Sequence, residues 1–319
     1  MTDNRWTTED RGHMPAALAL ARRGLGNVWP NPAVGCVLVR DGHVVGRGWT
    51  QPGGRPHAET EALRRAGTAA RGATAYVTLE PCSHTGKTGP CAQALIDAGV
   101  ARVVSALGDP DPRVGGRGLA MLRAAGIAVD EGLCRDSAAE VNSGFLSRIT
   151  RNRPLVTLKT ATTLDGRIAS ATGESQWITG PAARQQGHII RATHDAVLVG
   201  SGTALADDPS LTCRLPGFAH RQPVRVVLDG RLRLPASSRL AETTGDAPVW
   251  VLTLAGSNPD ARSALESKGV ELIDCPAGAD GRPDPVAALA ALASRGLTRV
   301  MVEGGGELAG ALLREDLVD

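Results

Sequence analysis

The chain has 319 residues, of which 42% are hydrophobic and 21% are charged, and its net charge is +2 at pH 7. This length suits two folded domains, and the near-neutral charge argues against a nucleic-acid partner. No apolar run is long enough to cross a membrane, and the polar residues 1–14 lack the core of a secretory signal, so the sequence predicts a cytoplasmic protein. Thiols stay reduced in the cytoplasm, and the six cysteines therefore indicate a metal site or buried thiols rather than disulfides.

The first half of the chain alternates helical and strand patterns. Residues 11–25 predict an amphipathic helix, and the apolar runs 33–40 and 43–50 are joined by Asp41-Gly42, a strong β-hairpin signal. Further helices are predicted at 57–67, 91–99 and 118–126, and further strands at 73–80, 101–107 and 127–133. This alternation predicts a three-layer α/β domain with helices on both faces of one sheet.

The second half begins after a polar, basic stretch at 142–154, which we interpret as a linker between domains 1–149 and 150–319. Apolar runs then predict strands at 155–166, 196–200, 224–230, 249–254, 270–275 and 299–306, with helices at 181–194 and 285–296 among them. This domain is also expected to be α/β. Because the chain ends in a predicted helix, we expect that the last strands of this domain are missing from the sequence.

Four residues in the first half suggest a zinc centre. His57 and Glu59 open one predicted helix, Cys82 follows a strand, and Cys91 opens the next helix. Such helix N-termini converge on one sheet edge, where backbone dipoles favour thiolates. One imidazole and two thiolates leave a fourth zinc position for water, and Glu59 is placed to move protons to and from that water. This order of residues is typical of zinc nucleoside and nucleobase deaminases.

Other interpretations of the same residues remain open. A His-x-Glu pair on a helix often faces solvent, and two nearby cysteines are often a structural zinc site or buried thiols; it is their combination that favours a catalytic metal. His84 is an alternative ligand, although its loop position favours a substrate contact or no role. Glu80 is interpreted as a strand-end residue rather than a catalytic acid. Packed apolar thiols are expected at Cys36, Cys134, Cys213 and Cys275.

The gap of eight residues between the two cysteines narrows the family, because most deaminases of this type have two residues there. This gap, with the segments 31–39, 75–84 and 101–112, resembles the bifunctional pyrimidine deaminase/reductase family of riboflavin biosynthesis. The resemblance implies a cytidine-deaminase-like N-terminal domain and a diaminopyrimidine substrate that carries a ribosylamino 5-phosphate. It also implies substrate contacts from Asn31 and from Lys87, whose charge could meet the phosphate. Gly89-Pro90 departs from the Pro-Pro often found in the family, and we expect only the stiffness of the loop to differ.

The segments 158–180 and 194–214 resemble the reductase half of the same family, which implies a dihydrofolate-reductase-like fold and NADPH as cofactor. The implied NADPH contacts are Ala161, Trp177, Thr203, Asp207, Gly305, Gly306, Glu307, Leu308, Ala309, Gly310 and Ala311. The implied substrate contacts are Ser175, Arg191, Leu211, Arg214 and Glu303, and two arginines suit a phosphate. Lys159, on the first predicted strand of this domain, is a further candidate contact or else a surface lysine. Gly230 stands where relatives can carry a serine, which puts that contact in doubt.

The predicted function is a two-step reaction in riboflavin biosynthesis. Zinc-dependent hydrolytic deamination of 2,5-diamino-6-(5-phosphoribosylamino)pyrimidin-4-one would be followed by NADPH-dependent reduction of its ribosyl chain to ribityl. One alternative is a zinc-dependent nucleoside or tRNA deaminase with a non-catalytic C-terminal domain, but two Phe and one Tyr offer little stacking surface for RNA. Another is a zinc-stabilised binding protein. The expected partners are the phosphorylated pyrimidine and further copies of the chain, as a dimer or tetramer, with neither nucleic acid nor membrane.

Overall fold

The computed structural model describes residues 5–84, 89–112, 114–175 and 177–319. The chain divides into two compact units, Met1–Arg151 and Asn152–Asp319. Each unit contains one sheet flanked by helices, which confirms the predicted α/β class. In the described residues, we find no helix that combines the length and the apolar character needed to cross a bilayer.

The first unit has a five-stranded sheet in the order β2-β1-β3-β4-β5. Strand β1 is antiparallel to β2 and β3, whereas β3, β4 and β5 are parallel. The described elements are α1 (Thr8–Arg22), β1 (Gly35–Arg40), β2 (His43–Trp49), α2 (Ala58–Ala66), β3 (Thr74–Val77), α3 (Cys91–Asp97), β4 (Arg102–Ser105), α4 (Arg117–Ala124), β5 (Ala128–Glu131), α5 (Arg135–Val141) and α6 (Ser143–Arg151).

Alternate residues of β1 enter two hydrophobic cores, because successive side chains of a strand point to opposite faces. Cys36 and Leu38 pack with α2, α3 and α4 on one face, and Val37 and Val39 pack with α1 and α5 on the other. The predicted three-layer arrangement is therefore confirmed. The predicted hairpin turn is confirmed as well, with both central residues at positive φ.

The stretch 142–154, which was interpreted as the linker, contains a helix that was not predicted, α6 (Ser143–Arg151). Phe145 is buried in the core of the first unit, and Leu146 and Ile149 pack beside it. These three residues lie on one face of a helix, while the intervening arginines and polar residues give the segment its polar composition. The apolar face was too short to be recognised against that background.

The second unit contains a fully parallel six-stranded sheet in the order β10-β9-β8-β7-β11-β6. The first strand ends at Lys159, seven residues earlier than the predicted end at residue 166, and the described residues from 160 to 180 form neither helix nor strand. The described elements are β6 (Leu155–Lys159), α7 (Pro181–Ala192), β7 (Ala196–Gly200), α8 (Ser201–Asp207), β8 (Val224–Leu228), α9 (Arg239–Glu242), β9 (Val249–Leu254), α10 (Pro259–Ser267), β10 (Glu271–Cys275), α11 (Pro285–Ser294), β11 (Arg299–Glu303) and α12 (Gly306–Arg314).

Arg225 lies in the middle of β8 and is completely buried. Its guanidinium donates to the Thr243 hydroxyl at 2.7 Å and to the carbonyl oxygens of Thr243 and Ala247 at 2.6 and 2.5 Å. The arginine thereby satisfies carbonyl groups in the chain that follows α9. Burial lowers its pKa. The apolar pattern of residues 224–230 predicts only a buried strand and gives no sign of this contact.

His194 gives the second unit a predicted sensitivity to acid. It is 5% exposed; its Nδ1 donates to the Ile190 carbonyl at 2.8 Å, so its Nε2 accepts from the Thr157 hydroxyl at 2.8 Å. Burial lowers the pKa of His194 to about 4, whereas an unfolded histidine has a pKa of about 6.5. Folding therefore disfavours protonation of His194. The contribution of this group to the free energy of unfolding is fully present above pH 6.5, and about 3 kcal/mol of it is lost as the pH falls toward 4.

Urea unfolding of the wild type at several pH values between 7 and 4 tests this expectation. The variant His194→Gln should lose less stability on acidification than the wild type, although it is less stable at pH 7. His220→Gln, at an exposed position of the same unit, should retain the wild-type dependence. Identical pH dependence in wild type and His194→Gln would show that His194 does not contribute.

Candidate active sites

The predicted zinc donors lie together at one edge of the first sheet. His57 is the N-cap of α2, Cys91 is the first residue of α3, and Cys82 lies in the segment after β3. One donor atom from each residue lies within 4.8 Å of the other two. The Nδ1 atom of His57 is 3.3 Å from Cys91 Sγ and 3.7 Å from Cys82 Sγ.

These separations fit a metal held by the three atoms. Tetrahedral zinc, with Zn–S of about 2.3 Å and Zn–N of about 2.0 Å, separates neighbouring donor atoms by roughly 3.5–3.8 Å. A hydrogen bond from the Cys91 thiol lowers the pKa of Cys82 well below its usual range, although burial opposes the shift. The backbone N–H of Cys91 also donates to Cys82 Sγ at 3.3 Å. The cluster therefore favours the thiolate of Cys82, the form in which cysteine binds zinc, whereas the hydrogen bond to Cys82 and burial raise the pKa of Cys91.

Close packing of α2 on β2 positions His57. A Cβ atom at Gly48 would lie 2.1 Å from the Ala58 carbonyl oxygen, and one at Gly46 would lie 2.4 Å from that of Ala62. Only glycine permits this approach, so the two positions allow the start of α2 to lie directly against the sheet.

Glu59 lies in the first turn of α2 and is 3% exposed. Burial raises its pKa to about 7, and the nearby His57 acts in the opposite direction. A carboxyl group with a pKa near neutrality can both accept and donate a proton at physiological pH. The structure thus places a group of this kind beside the donor cluster, without making it one of the three donors.

The position of the Asn31 side-chain amide depends on its close contact with Gly54. A Cβ atom at Gly54 would lie 1.9 Å from Asn31 Nδ2 and 2.9 Å from the Val28 carbonyl oxygen. Gly54 also has a φ of +82°, which favours glycine. The turn before His57 therefore packs directly on the amide of Asn31. Lys87, the other predicted substrate contact of this unit, lies outside the described residues.

Because Asn31 is a predicted substrate contact, we expect Gly54→Ala to displace its amide and to raise the KM for ammonia release about tenfold, the effect of losing one substrate hydrogen bond. Gly53→Ala is the matched control, because Gly53 has a similar φ of +73° but nothing lies within 4 Å of a Cβ atom there. Steady-state kinetics of both variants separate the two effects, because Gly54→Ala adds a steric clash to the backbone strain whereas Gly53→Ala adds only the strain. Equal KM values in the two variants would contradict the role of the contact.

Some of the predicted cofactor residues of the second unit, including Thr203 and Gly305, lie at one edge of its sheet. Strands β7 and β11 are parallel neighbours, and α8 and α12 begin just after them. Between β11 and α12, Gly304 and Gly305 have φ of +85° and +82°, and a Cβ atom at either would lie 3.3 Å from Thr203 Oγ1. This glycine turn presents backbone N–H groups at the start of a helix, which is an arrangement suited to a nucleotide phosphate.

Arg191, at the end of α7, forms the strongest polar contact among the predicted substrate residues. Its Nε and Nη2 atoms donate to the two carboxylate oxygens of Glu303 at 2.5 and 2.7 Å, and its Nη1 donates to the Thr212 carbonyl at 2.8 Å. A bidentate bond from Arg191 to a phosphate would therefore require this pair to open. Lys159 lies opposite Glu303 in the register of β6 and β11, which brings a second cation to the same strand ends.

The other predicted residues of the second unit have varied surroundings. Arg214 is exposed and donates to Ser210 Oγ at 2.8 Å, whereas Leu211 is buried in the hydrophobic core. Trp177 is 68% exposed, and the Arg184 guanidinium lies 4.4 Å from its ring. The remaining predicted residues are exposed or half-buried, apart from the buried Leu308: Ala161, Ser175, Asp207, Gly306, Glu307, Ala309, Gly310 and Ala311.

His188, which was not among the predicted site residues, lies one turn before Arg191 on α7. The Arg214 backbone N–H donates to its Nδ1 at 3.4 Å. Burial, with the charges of Arg191 and Arg214, lowers the pKa of His188 and favours the neutral imidazole. Its spacing of three residues from Arg191 is the signal that could have identified it.

Comparison with known proteins relates the two units to established families. Residues 154–319 match the family described as RibD C-terminal domain, and residues 7–107 match the cytidine and deoxycytidylate deaminase zinc-binding region. The chain is 46% identical to the riboflavin biosynthesis protein RibD of Escherichia coli, over 98% of this chain and 86% of that protein. It is 44% identical to RibD of Bacillus amyloliquefaciens, over 96% and 81%.

Two solved structures extend the similarity to the fold. A structure of Acinetobacter baumannii RibD has a TM-score of 0.88 and 43% identity, and covers 98% of this chain and 85% of that one. The diaminohydroxyphosphoribosylaminopyrimidine deaminase/5-amino-6-(5-phosphoribosylamino)uracil reductase of Thermotoga maritima has a TM-score of 0.83 and 38% identity, and covers 96% and 83%. The two α/β units, as predicted for the N-terminal and C-terminal domains, are thus both matched by solved structures that cover nearly the whole chain.

Proposed function

The chain belongs to the RibD family. We propose which of its residues carry out each of the two activities of a bifunctional enzyme of riboflavin biosynthesis. The enzyme is a zinc-dependent pyrimidine deaminase in its first unit and an NADPH-dependent reductase in its second. The observation that carries the proposal is the cluster of His57, Cys82 and Cys91 beside the buried carboxyl of Glu59.

In the deaminase unit, His57 Nδ1 and the two cysteine sulfurs hold the zinc. When bound, zinc lowers the pKa of its water to near neutrality. Glu59 would accept a proton from the attacking water and pass it to the pyrimidine ring nitrogen. It would then carry the second proton from the added hydroxyl to the exocyclic amine, which leaves as ammonia when the C–N bond breaks and the C=O bond forms. Asn31 and Lys87 bind the substrate. The near-neutral pKa of Glu59 supports both directions of proton transfer.

In the reductase unit, Gly305 and the first residues of α12, from Gly306 to Ala311, would bind NADPH together with Ala161, Trp177, Thr203 and Asp207. A bound NADPH would supply a hydride, and reduction of the ring-opened ribosyl chain to a ribityl chain also takes up one proton from solvent. A separate set of residues holds the substrate, and its arginine and lysine side chains suit a phosphate. The set consists of Lys159, Ser175, Arg191, Leu211, Arg214 and Glu303.

We also propose that the protein is a cytoplasmic homo-oligomer that acts without nucleic acid. The described cysteines are all free thiols, which suits a reducing compartment. Leu164, Ile168 and Trp177 are 108%, 60% and 68% exposed, and such apolar side chains on one segment favour contact with another copy. Size-exclusion chromatography with light scattering tests the oligomeric state.

The decisive experiment incubates the protein with 2,5-diamino-6-(5-phosphoribosylamino)pyrimidin-4-one, with and without NADPH, and identifies the products by mass. We expect the deaminated ribosyl compound without NADPH and the deaminated ribityl compound with it. Cys82→Ser should lose zinc in equilibrium dialysis and lose ammonia release. Release of ammonia from nucleosides or tRNA in preference to this substrate would support the alternative function instead.

A further inference from the structure

Glu80 is a buried carboxylate near the zinc donors for which the proposed reaction has no use. It is 4% exposed. One carboxylate oxygen accepts from the backbone N–H groups of Asp109 and Gly116 at 3.3 and 2.9 Å, and the other from those of Gly118 and Leu119 at 3.0 and 3.4 Å. In the described part of the chain, backbone N–H groups are its only side-chain hydrogen-bond partners. The carboxylate therefore anchors the main chain around the start of α4.

The start of α4 in turn packs directly on the residue that follows Glu80. A Cβ atom at Gly118 would lie 1.9 Å from the Pro81 carbonyl oxygen, so only glycine permits this approach. Helix α4 also packs against α3, whose first residue is Cys91. The first turn of α4 thus contacts the chain next to one thiol donor and supports the helix that carries the other.

Cys82 is held between this support and α3. Its carbonyl oxygen accepts from the Ala92 N–H at 3.1 Å, and its sulfur accepts from the Cys91 N–H at 3.3 Å. On the other side, Pro81 has a restricted φ and links Cys82 to Glu80 with little freedom. The backbone N–H of Glu80 is itself bonded to the Leu107 carbonyl at 2.8 Å. Glu80 and Cys82 are therefore joined by a short stretch of chain whose main-chain hydrogen bonds hold it on both sides.

We propose that Glu80 is a positioning residue for the zinc centre, since its carboxylate ties the first turn of α4 to the Pro81-Cys82 segment and fixes Cys82 Sγ in the spacing that a tetrahedral metal requires. The inference rests on the zinc site proposed above. Groups that orient metal ligands without touching the metal typically change its affinity by about 10–100-fold.

The variant Glu80→Gln tests the inference, because an amide nitrogen would face backbone N–H donors and leave some of them without an acceptor. We expect the zinc Kd of the metal-stripped protein to rise by about 10–100-fold in competition with a chromophoric chelator. Glu80→Asp keeps the charge with a shorter reach and should give an intermediate Kd. NADPH oxidation on the deaminated substrate should remain at the wild-type rate in both.

Asp10→Asn is the matched control in the same unit. Asp10 is a fully buried carboxylate that accepts from the Thr7 N–H and the Tyr76 hydroxyl at 3.0 and 2.9 Å and pairs with Arg102. It lies among the helices of the opposite sheet face, so its loss should lower the thermal midpoint and leave the zinc Kd unchanged.

The outcomes separate the inference from the function on which it rests. A wild-type zinc Kd in Glu80→Gln overturns the inference, even if the thermal midpoint falls. If Glu80→Gln does not fold, a wild-type zinc Kd in Glu80→Asp overturns it in the same way. If Cys82→Ser also binds zinc with wild-type affinity, the proposed zinc site fails instead. Loss of zinc affinity in Asp10→Asn equal to that in Glu80→Gln would show a general effect of stability and would equally overturn the inference.

Discussion

The Glu59→Gln enzyme is expected to release ammonia about 10²–10⁴-fold more slowly than the wild type, because the amide keeps the shape of the side chain but cannot accept a proton. Glu59 is almost completely buried, and its pKa of about 7 suits a group that exchanges protons with water and substrate in turn. Zinc content should be unchanged, since Glu59 is not one of the three donors. Ammonia release and bound zinc are measured on the same preparation.

Two comparisons make the result specific to Glu59. Glu61→Gln alters a second glutamate of α2 that is 6% exposed and bound to Arg64 and Arg65, and it should release ammonia at nearly the wild-type rate. NADPH oxidation on deaminated substrate should be normal in both variants, because the reductase residues lie in the other unit. Loss of both activities in Glu59→Gln would contradict separate sites.

Arg191→Lys is expected to lower kcat/KM for the NADPH-dependent reduction about 100-fold. The guanidinium makes three hydrogen bonds in a planar arrangement, two to Glu303 and one to the Thr212 carbonyl, and a lysine cannot reproduce them. Both side chains of the ion pair are only 13% exposed, so the variant leaves a poorly solvated carboxylate beside the proposed substrate site. Steady-state NADPH oxidation measures the effect, with ammonia release as the internal reference.

A surface pair provides the control for this substitution. Arg295 bonds Glu271 through Nε at 2.9 Å, and these side chains are 34% and 48% exposed. Arg295→Lys should therefore change neither activity, because exposed pairs contribute little. If Arg191→Lys lowers only the thermal midpoint and leaves kcat/KM as it was, the ion pair stabilises the fold without serving the reaction.

Local sequence signals identified most elements of the fold. The Asp41-Gly42 turn was identifiable because both residues tolerate positive φ, and the parallel strands of the second unit because buried strands form short apolar runs. Failures occurred where tertiary packing overrides a weak local pattern. Helix α6 was hidden by its polar composition, and β6 ends at Lys159 because the threonine-rich residues 160–166, which were predicted to extend it, are almost all exposed.

The residues proposed to bind zinc were likewise apparent from sequence alone. Few residue types bind zinc and move protons, and the order of His57, Glu59, Cys82 and Cys91 along the chain matches the elements that bring them together. Chemical identity and element order are properties of the sequence, so the reaction type followed from them.

Only the tertiary structure decided which contacts support those residues. The approach of Gly54 to Asn31, the ion pair of Arg191 with Glu303 and the anchoring of α4 by Glu80 join segments 23, 112 and about 30–40 residues apart. Such contacts depend on distances between backbones after packing, and no local propensity encodes them. The sequence therefore determined which groups perform the chemistry, whereas the packed fold determined the geometry and the environment in which they act.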